Sequence, residues 1–225
     1  LGLFSVSSFG QKPTEPAIEI VTQERIQGTI TQLAYSPDGQ LIASGSEDEN
    51  SIKIWDVTSG KIIGKLEGHT NETTTLLFSE DGKRLVSSAN DNVVIYWDLI
   101  TWELLDSLTL PDPALTICGG PKNSNSFITG HKNGAIYQWT PEKFRQPALI
   151  YTHEHAISKL DCHGQFIAWG DASGNVKIYD LQTNTTKIEK SIYVGGIMGI
   201  HFYNDGNGLL TAGQNGKIHL WNIND

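Results

Sequence analysis

The sequence predicts an all-β fold, a propeller of four-stranded antiparallel blades, on three observations. An aromatic anchor recurs at near-constant spacing, short strand-like runs alternate with turn signals, and no long segment has helical periodicity. The anchors are Trp55, Trp97, Trp139, Tyr179 and Trp221, separated by 42, 42, 40 and 42 residues. Their flanks match as well. Ile52-Lys53-Ile54-Trp55-Asp56 returns as Val94-Ile95-Tyr96-Trp97-Asp98, Ile136-Tyr137-Gln138-Trp139-Thr140, Val176-Lys177-Ile178-Tyr179-Asp180 and Ile218-His219-Leu220-Trp221-Asn222. Five repeats are therefore seen.

The first repeat gives the element order. Thr31–Tyr35 reads as a strand, Ser36-Pro37-Asp38-Gly39 as a turn, Leu41–Gly45 as a second strand, Ser51–Asp56 as a third and Lys61–Leu66 as a fourth. The turn has a mechanism: Pro presets φ, and Gly accepts the positive φ that other residues resist. Equivalent turns stand at Glu80-Asp81-Gly82 and Asn204-Asp205-Gly206. Four antiparallel strands in each repeat make a propeller blade, and a blade cannot bury both faces alone, so blades must stack around an axis. The repeat domain is read over residues 18–225. Residues 1–17 are read as a tail or a worn upstream strand.

Composition narrows the function. The formal net charge of −9 is the wrong sign for a phosphate-binding footprint, so no nucleic-acid partner is expected. No apolar run is long enough to span a membrane. The apolar stretch Leu1–Phe9 reads either as the tail of a secretory leader or as a worn strand. The first reading puts the protein outside the cytoplasm; otherwise a cytoplasmic location is favoured. No phosphate-cradling loop and no HExxH occur, so no cofactor is expected. His153-Glu154-His155 is the best metal candidate, but it reads better as one structural and one loop His, and no metal is expected. Cys118 and Cys162 align with Tyr35, Phe78 and Phe202. That places both in the core as small hydrophobes, and free thiols are expected rather than a disulfide.

Ser36-Pro37-Asp38-Gly39, Ala43-Ser44-Gly45-Ser46, Ile52-Lys53-Ile54-Trp55-Asp56 and Gly68-His69 resemble the WD-repeat family. The resemblance runs over about residues 18–225 and is strongest in the first two repeats. It implies a hydrogen-bonded chain of His, Ser or Thr, Asp and Trp in each blade, carried here by His69, Ser87, Asp91 and Trp97. Only the second repeat has the full set, so packing and turns are expected to hold the other blades. In the fourth repeat Trp169, Ser173 and Tyr179 replace Ser, Asp and Trp, and aromatic packing is expected instead of the polar chain. The third and last repeats keep Asn133-Gly134 and Asn215-Gly216, a strong two-residue hairpin signal.

Two ring closures stay open. Ile18–Gln23 aligns with the outer strand Lys61–Leu66, and the chain's last repeat stops after a third strand, so a shared blade closes a five-bladed ring. Alternatively the five repeats are part of a larger, seven-bladed propeller, the size the resemblance implies. A His-Ser-Asp set also suggests a hydrolase, but no GxSxG elbow accompanies Ser87, so no catalytic residue is assigned. The expected role is a non-catalytic platform for a protein or peptide partner. Candidate contact residues are Glu47, Asp48, Glu49, Glu72, Lys132, Glu154 and His155 on one loop face, and Trp102, which aligns with Gly60 and needs no large ring for the fold. The alternative is a ligand-binding or enzymatic propeller with a site in the central channel, where Asp161 and His201 are the titratable exceptions on mostly apolar first strands.

Overall fold

The computed structural model describes residues 28–122 and 124–223. Residues 18–23, expected to form an outer strand, and the stretch 1–17 lie outside the described residues. The first blade is β1 (Ile30–Tyr35), β2 (Leu41–Ser46), β3 (Ile52–Asp56) and β4 (Lys61–Leu66). The second is β5 (Thr73–Phe78), β6 (Arg84–Ala89), β7 (Val93–Asp98) and β8 (Glu103–Thr109). The third is β9 (Ala114–Gly119), β10 (Phe127–His131), β11 (Ala135–Trp139) and β12 (Ala148–Thr152), with a 3-10 turn at Pro141–Lys143. The fourth is β13 (Ile157–His163), β14 (Phe166–Asp171), β15 (Asn175–Asp180) and β16 (Thr185–Ser191). The fifth has three described strands, β17 (Ile197–Tyr203), β18 (Gly208–Gly213) and β19 (Ile218–Asn222). Within each sheet consecutive strands pair antiparallel, in chain order.

Side chains alternate across each strand, so every blade has a leading face toward the preceding blade and a trailing face toward the next. The core follows as four apolar layers, one at each junction. Ile52 and Ile54 of the first blade meet Leu76, Leu85 and Trp97 of the second in one layer. Val86 and Val94 meet Phe127 and Trp139 in the next. The first strands β1, β5, β9, β13 and β17 pack in succession at the inner rim. Glycine makes that approach close: a Cβ on Gly45, Gly130 or Gly170 would lie 2.6, 2.5 or 2.4 Å from the first side chain of the next inner strand, Thr73, Ile157 or Ile197.

Each first strand carries a β-bulge at its second residue, namely Thr31, Thr74, Leu115, Ser158 and Met198. A bulge re-aims one side chain out of the alternation. Here it turns a hydroxyl onto the next blade. Thr31 Oγ1 donates to the Thr73 carbonyl (3.0 Å), Thr74 Oγ1 to the Ala114 carbonyl (2.5 Å) and Ser158 Oγ to the Ile197 carbonyl (3.0 Å). Leu115 has no hydroxyl, so the junction between the third and fourth blades lacks this latch.

That junction holds the two cysteines instead. Cys118 and Cys162 form a disulfide, with Cα atoms 5.8 Å apart, which corrects the expectation of free thiols. The reason is register. Cys118 pairs with Ile128, whereas Cys162 pairs with Ile167, one step further along the strand relative to the bulge. Cys118 is thus equivalent to Ala34 and Leu77 on the trailing face, and Cys162 to Tyr35 and Phe78 on the leading face. A one-residue shift flips a strand side chain to the other face. The two thiols therefore point at each other across the junction rather than in the same direction.

Candidate functional site

The repeated turns are built before the anchors can be placed. Asp38 Oδ1 accepts from Ser36 Oγ (2.6 Å) and from the Gln40 N–H (3.0 Å), while the Leu41 N–H donates to Ser36 Oγ (2.8 Å). Ser79, Asp81, Lys83 and Arg84 repeat the arrangement. The Asp after the anchor caps the next turn. Asp98 Oδ1 accepts from the Ile100 and Thr101 N–H groups, and these bonds hold its carboxyl below the usual range.

With the third strand fixed, the second blade brings His69, Ser87, Asp91 and Trp97 together. Trp97 Nε1 donates to Ser87 Oγ at 2.8 Å. Ser87 Oγ lies 2.7 Å from His69 Nε2, and His69 Nδ1 lies 3.0 Å from Asp91 Oδ2. Indole N–H is a donor only and ionised Asp an acceptor only, so Trp97 donates to Ser87 and His69 Nδ1–H to Asp91; with Nε2 unprotonated, the Ser87 hydroxyl donates to it and every polar hydrogen of the chain has an acceptor. A charged imidazole would donate to Ser87 instead and take away the acceptor of its buried hydroxyl hydrogen, so the neutral form is favoured. Burial pushes the His69 pKa down, more than the neighbouring Asp91 raises it. Asp91 also accepts from the Thr70 and Val93 N–H groups, tying the chain to the loop and the hairpin.

The other anchors are tied differently, and two ties depart from the expectation that packing and turns hold the other blades. In the third blade Trp139 Nε1 donates to Thr129 Oγ1, which lies 2.8 Å from His131 Nε2; His131 Nδ1 reaches the Asp112 carbonyl at 3.0 Å. The His comes from the same strand, two residues after Thr129, instead of from the preceding loop. In the fifth blade Trp221 Nε1 donates to Thr211 Oγ1, and Tyr193 takes the His place, 2.7 Å from Thr211 Oγ1 and 2.9 Å from His219 Nδ1. Motif reading missed both because it sought His in the loop. The available signal was Ser or Thr ten residues before the anchor, as in Ser87, Thr129 and Thr211. The first blade stops at Trp55 Nε1 to Ser44 Oγ, 2.8 Å.

The fourth blade packs rings. Tyr151 lies 5.0 Å from Trp169 and 5.8 Å from Tyr179, centroid to centroid. Lys177 sets its ammonium 4.6 Å from the Tyr151 ring centroid and pairs with Glu189 at 2.9 Å. The buried Trp169 indole N–H has no hydrogen-bond partner. His153 Nδ1 sits 3.6 Å from Asp171, and His155 donates its backbone N–H to His153. Among the described residues no group of three or more His, Cys, Asp or Glu side chains is placed to hold a metal ion. On the inner rim, Asp161 pairs with His201 at 3.1 Å and accepts from the Phe202 N–H at 2.7 Å.

Of the loop-face residues, Glu47, Asp48, Lys132, Glu154 and His155 are exposed. Glu49 is half-buried and pairs with Lys53 at 2.8 Å, and half-buried Glu72 accepts from the Asn90 side chain. Trp102 is half-buried and belongs to the layer between the first two blades. Its ring lies on Gly64 of β4, where an added Cβ would come within 2.5 Å of it. Its backbone φ is +62°, matching Gly60 at +64°. A bulky residue in this region is strained.

The family model described as "WD domain, G-beta repeat" matches residues 21–56, 60–98 and 189–222. The matched repeats are WD repeats. A WD-repeat relative, Periodic tryptophan protein 2 homolog of Caenorhabditis elegans, is 30% identical over 174 residues, 75% of this chain and 19% of that protein. Periodic tryptophan protein 2 of Arabidopsis thaliana is 25% identical over 206 residues, 90% of this chain and 23% of that protein. The chain thus spans about a fifth of these relatives' length. Pre-mRNA-processing factor 17 of Saccharomyces cerevisiae is 31% identical over 136 residues, 60% of this chain and 30% of that protein. Among solved structures, the β-propeller domain of Myceliophteria thermophila Cps50 (Swd1) matches with a TM-score of 0.76 at 21% identity, covering 88% of this chain and 66% of that one. The computationally designed Ika8 protein matches at 0.73 with 24% identity, covering 90% and 60%. These likenesses establish the WD-propeller fold.

Proposed function

We propose that this chain is a non-catalytic scaffold that holds a protein or peptide partner. The observation that carries the reading is the state of Ser87. It is fully buried, its oxygen accepts from Trp97, and that oxygen lies 2.7 Å from His69 Nε2. A nucleophile needs a free approach and a base that can take its proton beside a substrate. Here the His faces a Ser enclosed between strands, so the set works as a cross-tie. The same three-part logic, rebuilt with Thr129 and His131 or with Thr211 and Tyr193, fits a structural need that each blade meets in its own way.

The binding face of this reading is the loop face, where Glu47, Asp48, Lys132, Glu154 and His155 stand in solvent on rigid hairpins and connections. Glu72 stands on the same face, and Glu49, tied to Lys53, positions its hairpin. Trp102, half-buried with its ring on Gly64, does not stand free for a partner as the exposed residues of that face do. Relatives named pre-mRNA-processing factor 17 and Retinoblastoma-binding protein 5 homolog support a role in multiprotein assembly. With a net charge of −9, direct phosphate contact is disfavoured, and the partner is a protein even where the assembly handles nucleic acid. Affinity capture with the chain and with a Glu47→Lys, Asp48→Lys variant tests this. The expected result is loss of a captured protein with the melting temperature unchanged. Identical capture by both, or hydrolase activity abolished by Ser87→Ala, counts against the reading.

A further inference from the structure

Each inner strand carries, near its end and on its leading face, one residue opposite the second-strand partner of the anchor. In the first, second and fifth blades that residue is a ring, Tyr35, Phe78 or Phe202, opposite Ile42, Leu85 or Leu209. Phe78 and Phe202 are buried and fill the apolar layers of their junctions. In the fourth blade the residue is Cys162, taken up in the disulfide. In the third it is Gly119, opposite Phe127. The backbone does not require glycine there: its φ is not positive, and an added Cβ would meet nothing within 4 Å. A ring is therefore missing from the junction of the second and third blades. Protein interiors are close-packed, so an unfilled ring position leaves a void. A cavity of about 220 Å³ opens there, walled by Gly119, by the turn after β5 and by the turn after β11.

We infer that this cavity is a docking site for an aromatic side chain of a basic peptide segment, presented by a protein partner. Its floor is apolar and partly aromatic, with Leu77, Val86 and Tyr96 from the second blade and Phe127 from the third. Phe127 is stacked on Trp139 with centroids 5.5 Å apart, and Tyr96 on Phe144 at 5.7 Å, so both rings are held in place. Fixed aromatic walls around a ring-sized space suit a further ring, and such pockets hold the anchors of protein interfaces. The rim selects what stands beside that anchor. Exposed Glu80, Asp81 and Glu142 line the opening. Among the described residues the one cation lining it is Arg84, which pairs with Asp98 at 3.2 Å and donates to the Lys83 carbonyl. Lys83 and Lys143 stand in the adjoining turns without lining it. An acidic rim favours positive charge beside the apolar anchor and disfavours negative charge. The site lies at the opposite end of the strands from Glu47, Asp48 and Lys132, so it is separate from the face proposed above.

The test is an NMR titration of the isotope-labelled chain with three acetylated and amidated tripeptides, Lys-Phe-Lys, Lys-Ala-Lys and Glu-Phe-Glu. The expected result is saturable binding of Lys-Phe-Lys, with shifts centred on the amides of Val86, Tyr96 and Gly119. Removing the ring is expected to weaken binding by about tenfold, and reversing the flanking charges to weaken it several-fold. Glu142→Lys, at an exposed position, is expected to narrow the gap between Lys-Phe-Lys and Glu-Phe-Glu. Gly119→Phe puts the missing ring back, and is expected to abolish ring-dependent binding without lowering the melting temperature. Overturning results are no saturable binding of Lys-Phe-Lys, shifts centred elsewhere, a series in which the ring or the charges make no difference, or a folded Gly119→Phe chain that binds as the parent does. Should Gly119→Phe not fold, the peptide series and Glu142→Lys decide by themselves. Glu47→Lys with Asp48→Lys, on the opposite face, should bind Lys-Phe-Lys unchanged, so this site and the loop face stand or fail separately.

Discussion

His69 gives its buried Ser87 partner an acceptor as a neutral imidazole, and that has a pH consequence. Its Nε2 is the acceptor for the buried Ser87 hydroxyl, so a proton there would reverse that bond and strand the hydroxyl hydrogen. His131 is in the same position with Thr129. Burial lowers both pKa values, against opposing contributions from Asp91 and Asp112. The unfolded imidazole titrates near about 6.5 while the folded one stays neutral. The unfolded state then binds more protons, so stability is present above that value and falls as pH drops through it toward the folded pKa. Urea midpoints measured from pH 7.5 to 5 should fall, and His69→Gln together with His131→Gln should flatten the slope; an unchanged slope contradicts the assignment. At this scale the sequence displayed the anchors and the second-blade set, because they share one spacing. It hid His131 and Tyr193, because hydrogen-bond geometry can be met from more than one place in a chain.

At the scale of the element, bulges, register and one strained turn decide how blades join. The latch from Thr31, Thr74 or Ser158 is missing at Leu115, where Cys118–Cys162 makes the only covalent tie among the described residues. Closing a loop of this length contributes about 2–4 kcal/mol. Cys118→Ser with Cys162→Ser, or reduction, should lower the unfolding midpoint accordingly, and non-reducing peptide mapping should recover the Cys118–Cys162 pair. Two free thiols in the native protein would contradict the bond. The strands themselves were legible from alternation and turn residues. The disulfide was not, since an alignment that slips by one residue reverses a side chain and gaps in a short strand leave no mark. Trp102 gives a second prediction. Its φ of +62° suits Gly, while its ring fills the space over Gly64. Trp102→Gly should therefore destabilise less than Trp102→Ala, by about 1–2 kcal/mol, as measured by urea unfolding; equal losses would show that the turn carries no strain.

For the whole molecule, stacking follows from what a single blade lacks. A four-stranded sheet with two apolar faces is stable only between neighbours, so the core is distributed over junctions instead of gathered in one centre. The propeller class was readable from five anchors at even steps. Ring size was not, because each repeat specifies its neighbour and not the number of neighbours. The proposed function rests on the same economy of parts: the polar set that resembles a catalytic triad is enclosed and tied to a Trp, and the exposed loop residues are the ones proposed to meet a partner. The most direct measurement is equilibrium urea unfolding of the chain and of His69→Ala, with partner capture by both under native conditions. The account predicts a midpoint lowered by the equivalent of about 1–3 kcal/mol with an unchanged slope, and capture retained while the variant stays folded. An unchanged midpoint, with loss of a chemical activity in its place, would contradict it.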